Sequence, residues 1–124
     1  MNYKIKNTIK RKIIISYFID YYTKHFTNKN KYNFAVLSND FIGRQLITRD
    51  FFEEDYLNLI SKFISVNKIK IRNVLNIGAN IGNHSIFFSK FSEMVYSFEP
   101  STKAFELLKI NVKNKNIKIF KYGL

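Results

Sequence analysis

The stretch Val74–Gly82, which reads V-L-N-I-G-A-N-I-G, constrains the fold of this chain more than any other. A parallel strand that is buried on both faces reads as a near-continuous apolar run, and Ile71–Ile77 fits that pattern better than strict alternation. The run leads into two glycines: Gly78 permits a tight turn, and Gly82 allows a ligand or the following helix to approach the backbone closely. The sequence therefore predicts a strand followed by a ligand-binding turn over residues 78–84.

The spacing of the glycines and a downstream acid indicate the class of ligand. A dinucleotide-binding fold favours G-x-G-x-x-G, whereas this turn reads G-x-x-x-G, which argues against nicotinamide and flavin cofactors. A second apolar segment, Val95–Glu99, ends in a carboxylate 17 residues after Gly82. A carboxylate at the end of a second strand accepts hydrogen bonds from both ribose hydroxyls, so Glu99 indicates binding of a nucleoside, with or without phosphate.

Three features of the second half of the chain occur together: V-L-N-I-G-A-N-I-G-N-H over 74–84, S-F-E-P over 97–100, and a helix that ends near Asn111. In these features the sequence resembles the FkbM-type S-adenosylmethionine-dependent methyltransferases, over roughly residues 70–124. The glycine turn alone occurs in many methyltransferases, but its combination with F-E-P at this distance is much narrower. The family usually has an aspartate at the position of Asn76, where it helps to hold the methionine amino group. An asparagine keeps a carbonyl acceptor but lacks the charge.

The resemblance implies a fold, a cofactor, a reaction and a set of site residues. The fold is the α/β, Rossmann-like parallel sheet of class I methyltransferases, and the cofactor is S-adenosylmethionine. The reaction is O-methylation of a hydroxyl on a sugar, glycan or small metabolite. The residues implied in cofactor binding are Asn76, Gly78, Ala79, Asn80, Gly82, Asn83, His84, Glu99 and Pro100. The sequence identifies no catalytic base: His84 has suitable acid–base chemistry, but a histidine at a helix start also serves as a packing residue or contacts the cofactor.

Composition excludes several kinds of site. The chain has 124 residues, of which 46% are hydrophobic, enough for a globular core. It has no cysteine, which excludes disulfides, a thiol nucleophile and thiolate metal ligands, and makes a cytoplasmic location the expectation. No H-x-x-E-H or C-x-x-C pattern occurs, so no metal ligands are predicted.

The formal charge of +12 leaves open a basic protein that binds nucleic acid or a membrane surface. Lysine greatly outnumbers arginine, however, and arginine is the better phosphate clamp, so no specific nucleic-acid partner is predicted. A basic surface also steers an anionic substrate, which agrees with the methyltransferase interpretation. A nucleoside-binding module without catalysis is the other alternative.

The N-terminus is basic up to Lys12 and then apolar over residues 13–19. This apolar run is about half of the ~20 residues that span a bilayer, and no small-residue cleavage site follows it. No transmembrane segment is therefore predicted. The spacing predicts a terminal helix with Ile14 and Phe18 on one face. Peripheral membrane contact is the alternative.

The rest of the predicted N-terminal extension, which ends at residue 67, consists of a loop, a hairpin and a helix. Polar residues without a period indicate a loop over 22–31. Two short apolar runs, Phe34–Leu37 and Phe41–Thr48, indicate a hairpin with its turn at the residues between them. Asp50 then has the position of an N-cap, in a capping-box arrangement, for a helix over 51–65.

Residues 68–124 are predicted to form a nucleoside-binding βαβαβ unit with all strands parallel. Its elements are a strand Ile71–Ile77, a helix Asn83–Phe91, a strand Met94–Phe98, a helix capped by Ser101 or Thr102 that ends near Val112, and a strand Ile117–Tyr122. A methyltransferase domain of this type continues with about four more strands. The chain is therefore expected to be a fragment, truncated after the third strand, that binds cofactor weakly and does not transfer methyl groups alone. The sequence does not indicate an oligomeric state.

Overall fold

The computed structural model describes residues 10–18, 21, 31–37, 40–46 and 49–124. The chain divides into two compact units, Met1–Lys31 and Tyr32–Leu124. In the first unit residues 10–18 are helical (α1), which confirms the predicted terminal helix. The predicted loop at 22–31 lies, apart from Lys31, outside the described residues. Among the described residues, no helix is both long and apolar enough to cross a bilayer.

The predicted hairpin is wrong, because its second strand is a helix. This helix, α2, spans Phe41–Leu46, and residues 32–37 before it form no strand. Asp40 starts the helix: its Oδ2 accepts the N–H of Gly43 at 3.3 Å, and its backbone oxygen accepts the N–H of Arg44 at 3.1 Å. A side-chain oxygen that accepts an N–H in the first turn is typical of an N-cap. The polar residue that predicted a hairpin turn therefore begins a helix.

The helix α3 spans Glu54–Val66 and begins later than predicted. Its N-cap is Glu53, whose φ of 58° lies in the left-handed region and whose side chain makes no capping bond. The predicted capping box at Asp50 is therefore wrong. The Asp50 carboxylate instead accepts the backbone N–H of Tyr32 at 3.4 Å, and residues 51–53 form a turn before the helix.

The second half of the chain is α/β, as predicted. Its elements are β1 (Ile71–Ile77), α4 (Asn83–Phe88), β2 (Ser92–Phe98), α5 (Thr102–Asn111) and β3 (Ile117–Phe120). The three strands form one parallel sheet in the order β1-β2-β3. Ser101 caps α5, as predicted, and its hydroxyl accepts the N–H of Ala104 at 3.5 Å. The α4 helix ends three residues before the predicted Phe91, and β3 ends two residues before Tyr122.

One face of the sheet carries the hydrophobic core. Val74, Val95 and Ile117 lie in register across the three strands, and Val95 is fully buried. The core cluster also contains Phe51, Leu57, Ile86 and Phe87. Phe51 and Leu57 come from the segment before the sheet, so this segment contributes to the core of the sheet. Both belong to one compact unit, Tyr32–Leu124.

The opposite face of β1 is exposed. Side chains alternate between the faces of a strand, and Leu75 and Ile77 on this face are 61% and 60% exposed. They lie in register with Tyr96 and Phe98 of β2. Among the described residues, β1 pairs with β2 alone and forms an edge of the sheet. The expectation that this strand is buried on both faces is therefore wrong for this structure.

Candidate functional site

The turn after β1 is bound to the end of β2 by three successive N–H groups. The N–H groups of Gly78 and Ala79 both donate to the carbonyl oxygen of Phe98, each at 2.9 Å. The next N–H, that of Asn80, donates to Glu99 Oε2 at 2.8 Å. The glycine turn and the acid that the sequence singled out are therefore in direct contact, at the carboxyl ends of two adjacent parallel strands.

These bonds restrict what the turn can bind. A phosphate-binding turn directs several free backbone N–H groups at the anion. Here the three N–H groups of residues 78–80 already donate to β2 and Glu99, and the N–H of Gly82 donates to the oxygen of Ala79 at 2.9 Å. The N–H groups of residues 78–80 and of Gly82 are therefore not free to bind an anion.

The two glycines of the turn serve different purposes. Both lie in the left-handed region, with φ of +77° for Gly78 and +95° for Gly82. A Cβ added to Gly78 would meet no atom within 4 Å, whereas one added to Gly82 would lie 2.8 Å from Leu108 Cδ1 and 3.0 Å from Val112 Cγ2. Gly78 therefore leaves open space for a ligand, and Gly82 is required by the close approach of α5.

Glu99 is only 7% exposed, and each of its carboxylate oxygens accepts one backbone N–H. The donors are Asn80, at 2.8 Å from Oε2, and Ser101, at 2.8 Å from Oε1. Each oxygen of an ionised carboxylate has a second acceptor position, so two hydroxyl donors can still be accommodated. Glu99 thus fixes the turn to the start of α5. Pro100, which follows it, is exposed.

A series of side-chain hydrogen bonds connects Asn76 to two buried serines. Asn76 Nδ2 donates to Ser85 Oγ at 2.8 Å, and Ser85 Oγ lies 2.8 Å from Ser97 Oγ. Both serines are fully buried. The amide of Asn76 is thus directed towards α4, and these hydrogen bonds link β1, α4 and β2. No sequence motif points to Ser85. Ser97 belongs to the S-F-E-P motif and is a polar residue inside an apolar strand pattern, which is a usable signal for a buried polar contact.

Two asparagine side chains bind backbone segments from distant parts of the sequence. Asn83 accepts the N–H of Phe52 at 2.9 Å and donates to its oxygen at 3.1 Å. Asn111 makes the same pair of bonds with Ala35, at 2.7 and 3.0 Å, and also donates to the oxygen of Ile81 at 2.8 Å. Both amides are therefore engaged with the backbone, and Asn83 holds residue 52 beside the first turn of α4.

His84 and Glu53 form a second polar contact near the turn. His84 Nε2 is buried and lies 3.3 Å from Glu53 Oε2, outside hydrogen-bond geometry. The His84 side chain as a whole is 35% exposed. Glu53 has the left-handed backbone noted above, which costs a non-glycine residue about 1–3 kcal/mol and occurs preferentially at functional sites. In the sequence, Glu53 is an acid near a predicted helix start, where the helix dipole favours acids without any functional role.

Within the described parts of the chain, no three His, Asp or Glu side chains are grouped so that they could hold a metal ion. No protein-family model matches the chain, and neither does any curated protein or solved structure. The chemistry of the site is therefore inferred from its own residues.

Proposed function

We propose that this chain is an S-adenosylmethionine-dependent methyltransferase of the FkbM type, with a Rossmann-like fold, that methylates a hydroxyl of a sugar, glycan or small metabolite. The observation that carries the proposal is the open position at Gly78 beside the Glu99 carboxylate. Ligands of open parallel sheets bind outside the carboxyl ends of the strands, which is where these two residues lie. The internally bonded N–H groups of the turn support a nucleoside ligand over a dinucleotide.

The residues of the site fit this cofactor. When bound, S-adenosylmethionine supplies a methyl group that is already activated on a sulfonium. Glu99 binds the ribose hydroxyls through the second acceptor position of each carboxylate oxygen. Gly78 allows the ligand to approach the backbone without meeting a side chain. Asn76, near the end of β1, donates its amide N–H to Ser85 Oγ, and this bond orients the amide beside the turn.

His84 is the proposed proton acceptor. The Glu53 carboxylate near Nε2 favours the tautomer that carries its proton on Nε2, which leaves the lone pair on Nδ1. Nδ1 accepts the proton of the acceptor hydroxyl as its oxygen forms the new bond to the methyl carbon. Glu53 is a positioning residue, because its carboxylate lies beside the imidazole and orients it.

Cofactor binding tests the proposal. Isothermal titration of the full chain is expected to show saturable binding of S-adenosylmethionine and S-adenosylhomocysteine, and much weaker binding of NAD⁺ and ATP. Comparable or tighter binding of NAD⁺ or ATP would contradict the assignment, because both carry phosphates and the N–H groups of residues 78–80 and 82 are already bonded within the protein.

Glu99→Gln is expected to weaken binding of S-adenosylhomocysteine by about 10- to 150-fold, the equivalent of about 1.5–3 kcal/mol for hydrogen bonds to a charged group. The matched control is Glu106→Gln, an acid on α5 whose side chain is 54% exposed and pairs with Lys109. This control should leave the affinity unchanged. An equal effect of both substitutions in the same titration would mean that the Glu99 carboxylate does not contact the ligand.

His84→Ala is expected to lower the rate of methyl transfer by about 10²- to 10⁴-fold, the usual contribution of a general base, with little change in cofactor affinity. Formation of S-adenosylhomocysteine is measured by mass spectrometry with a panel of sugar and metabolite acceptors. Glu53→Gln should cause a smaller decrease, and Glu54→Gln, at the next residue, should cause none.

The same assay of the wild-type chain distinguishes a methyltransferase from a nucleoside-binding module without catalysis. Product formation by the wild-type chain would support the methyltransferase proposal. Cofactor binding without product from any acceptor would instead favour a nucleoside-binding module. Full activity of His84→Ala would exclude the imidazole as the base.

A further inference from the structure

The helix α1 carries an apolar stripe along one side. Ile14, Tyr17 and Phe18 follow the spacing i, i+3, i+4 along α1. Together with Tyr21 they line a groove of about 490 Å³. Side chains at this spacing share one face of a helix. They are exposed to between 55% and 78%, and Ile13 and Ile15 beside them are exposed to a similar degree. A contiguous apolar surface of this kind marks an interaction site.

The same helix begins with positive charge. Lys10, Arg11 and Lys12 are consecutive, exposed residues directly before the apolar stretch. The unit Met1–Lys31 contains eight of the 21 Lys and Arg residues of the chain but only one acid, Asp20. The excess positive charge of the protein is therefore concentrated in the unit that also exposes the apolar stripe, so its partner must be both anionic and apolar.

We propose that α1 binds the surface of an anionic phospholipid bilayer. The stripe lies at the boundary of the acyl chains, as in other amphipathic helices that lie in the plane of the interface. The three cations contact the headgroup phosphates, where each Lys or Arg near the surface strengthens attraction to anionic lipid. Lys10 lies on the same face one turn before Ile14, so its methylene stem follows the stripe while its ammonium reaches the headgroups.

The isoleucines favour a bilayer over a nucleic acid as the partner. A basic surface with tyrosine and phenylalanine could stack on unpaired bases. Ile13, Ile14 and Ile15, however, are each more than half exposed. Their aliphatic side chains neither stack on bases as aromatic rings do nor bind phosphates. Acyl chains cover aliphatic and aromatic side chains alike, so a lipid surface accounts for the whole stripe.

A fluorescence experiment tests whether the stripe enters a bilayer. The chain has no tryptophan, so Tyr17→Trp introduces a single fluorophore into the stripe. The matched control is Tyr56→Trp, on α3, because Tyr56 is 71% exposed and Tyr17 is 78% exposed. Vesicles of phosphatidylcholine with a minor fraction of phosphatidylserine should shift the Tyr17→Trp emission to the blue and protect it from acrylamide, and should leave Tyr56→Trp unchanged.

Vesicle flotation of the full chain tests separately how much the positive charges and the apolar stripe contribute to membrane binding. Replacing Lys10, Arg11 and Lys12 by Gln should lower partitioning onto the anionic vesicles about a hundredfold, and phosphatidylcholine vesicles should bind the wild type at least about tenfold more weakly. Phe18→Asp should lower partitioning more than tenfold. Phe63→Asp on α3 is its control, because the two phenylalanines are 63% and 61% exposed. A thermal transition recorded by circular dichroism checks that each variant is folded.

Three results would overturn the proposal. The first is equal partitioning of the wild type onto neutral and anionic vesicles, and the second is unchanged partitioning of Phe18→Asp. The third is binding to a short RNA or DNA that is tighter than binding to vesicles and unaffected by Phe18→Asp, which would assign the basic unit to nucleic acid. None of these measurements contains a methyl donor, so their outcome is independent of the proposed enzymatic function.

Discussion

Gly82→Ala should lower the free energy of unfolding by about 2–5 kcal/mol, from about 1–2 kcal/mol of left-handed backbone strain and about 1–3 kcal/mol of overpacking. Gly82 has a φ of +95°, which only glycine adopts without strain. The new Cβ would lie 2.8 Å from Leu108 Cδ1 and 3.0 Å from Val112 Cγ2. Leu108 is fully buried, so any shift of its side chain disturbs the packing around it.

Gly78→Ala is the matched control for this substitution. Gly78 also lies in the left-handed region, but no atom lies within 4 Å of its Cβ position. Its expected loss is therefore the backbone strain alone, about 1–2 kcal/mol. Urea unfolding followed by far-ultraviolet circular dichroism measures both variants. Equal losses would show that α5 does not restrict position 82.

Asn111→Ala should lower the free energy of unfolding by about 3 kcal/mol, because three hydrogen bonds of about 1 kcal/mol each are removed and their backbone partners lose a buried contact. Those partners are the N–H and the oxygen of Ala35, 76 residues away, and the oxygen of Ile81, 30 residues away. A single side chain on α5 therefore holds the segment before α2 and the turn together.

Asn58→Ala, at an exposed position of α3, is the control for Asn111→Ala and should change stability by no more than about 0.5 kcal/mol. Hydrogen exchange provides a local readout, since the amide of Ala35 should lose protection in Asn111→Ala. Retained protection at Ala35, or a stability loss below about 1 kcal/mol, would mean that water replaces the asparagine without cost.

Local patterns predict α1, most of α3 and the elements from β1 to β3, but they do not predict α2 or the start of α3. An apolar run before a glycine turn, helical periodicity and a serine cap were sufficient to place β1, α4, β2 and α5 within a few residues. Asp40 and Asp50 have the same local chemistry, an acid before an apolar run, yet one caps a helix and the other binds the N–H of Tyr32. Which role an acid takes depends on partners that its own sequence window does not contain.

The contacts of the candidate site likewise include some that the sequence could predict and some that it could not. The contact between the turn and Glu99 could be predicted, because adjacent parallel strands bring their carboxyl ends together. The contact of His84 with Glu53 and that of Asn83 with Phe52 each join residues 31 apart through tertiary packing, and no periodicity indicates them. The apolar run of β1 likewise could not show that one face of the strand is exposed, because periodicity does not reveal what covers a face.

A titration of the ¹⁵N-labelled chain with S-adenosylhomocysteine, followed by backbone amide chemical shifts, tests the central claim most directly. If the cofactor binds over the open side of the glycine turn, saturable shift changes should centre on Gly78, Asn80 and Glu99, and amides of the exposed face of α3, such as Leu59, should not move. The absence of saturable changes, or changes centred away from the carboxyl ends of β1 and β2, would contradict the proposed methyl-donor site.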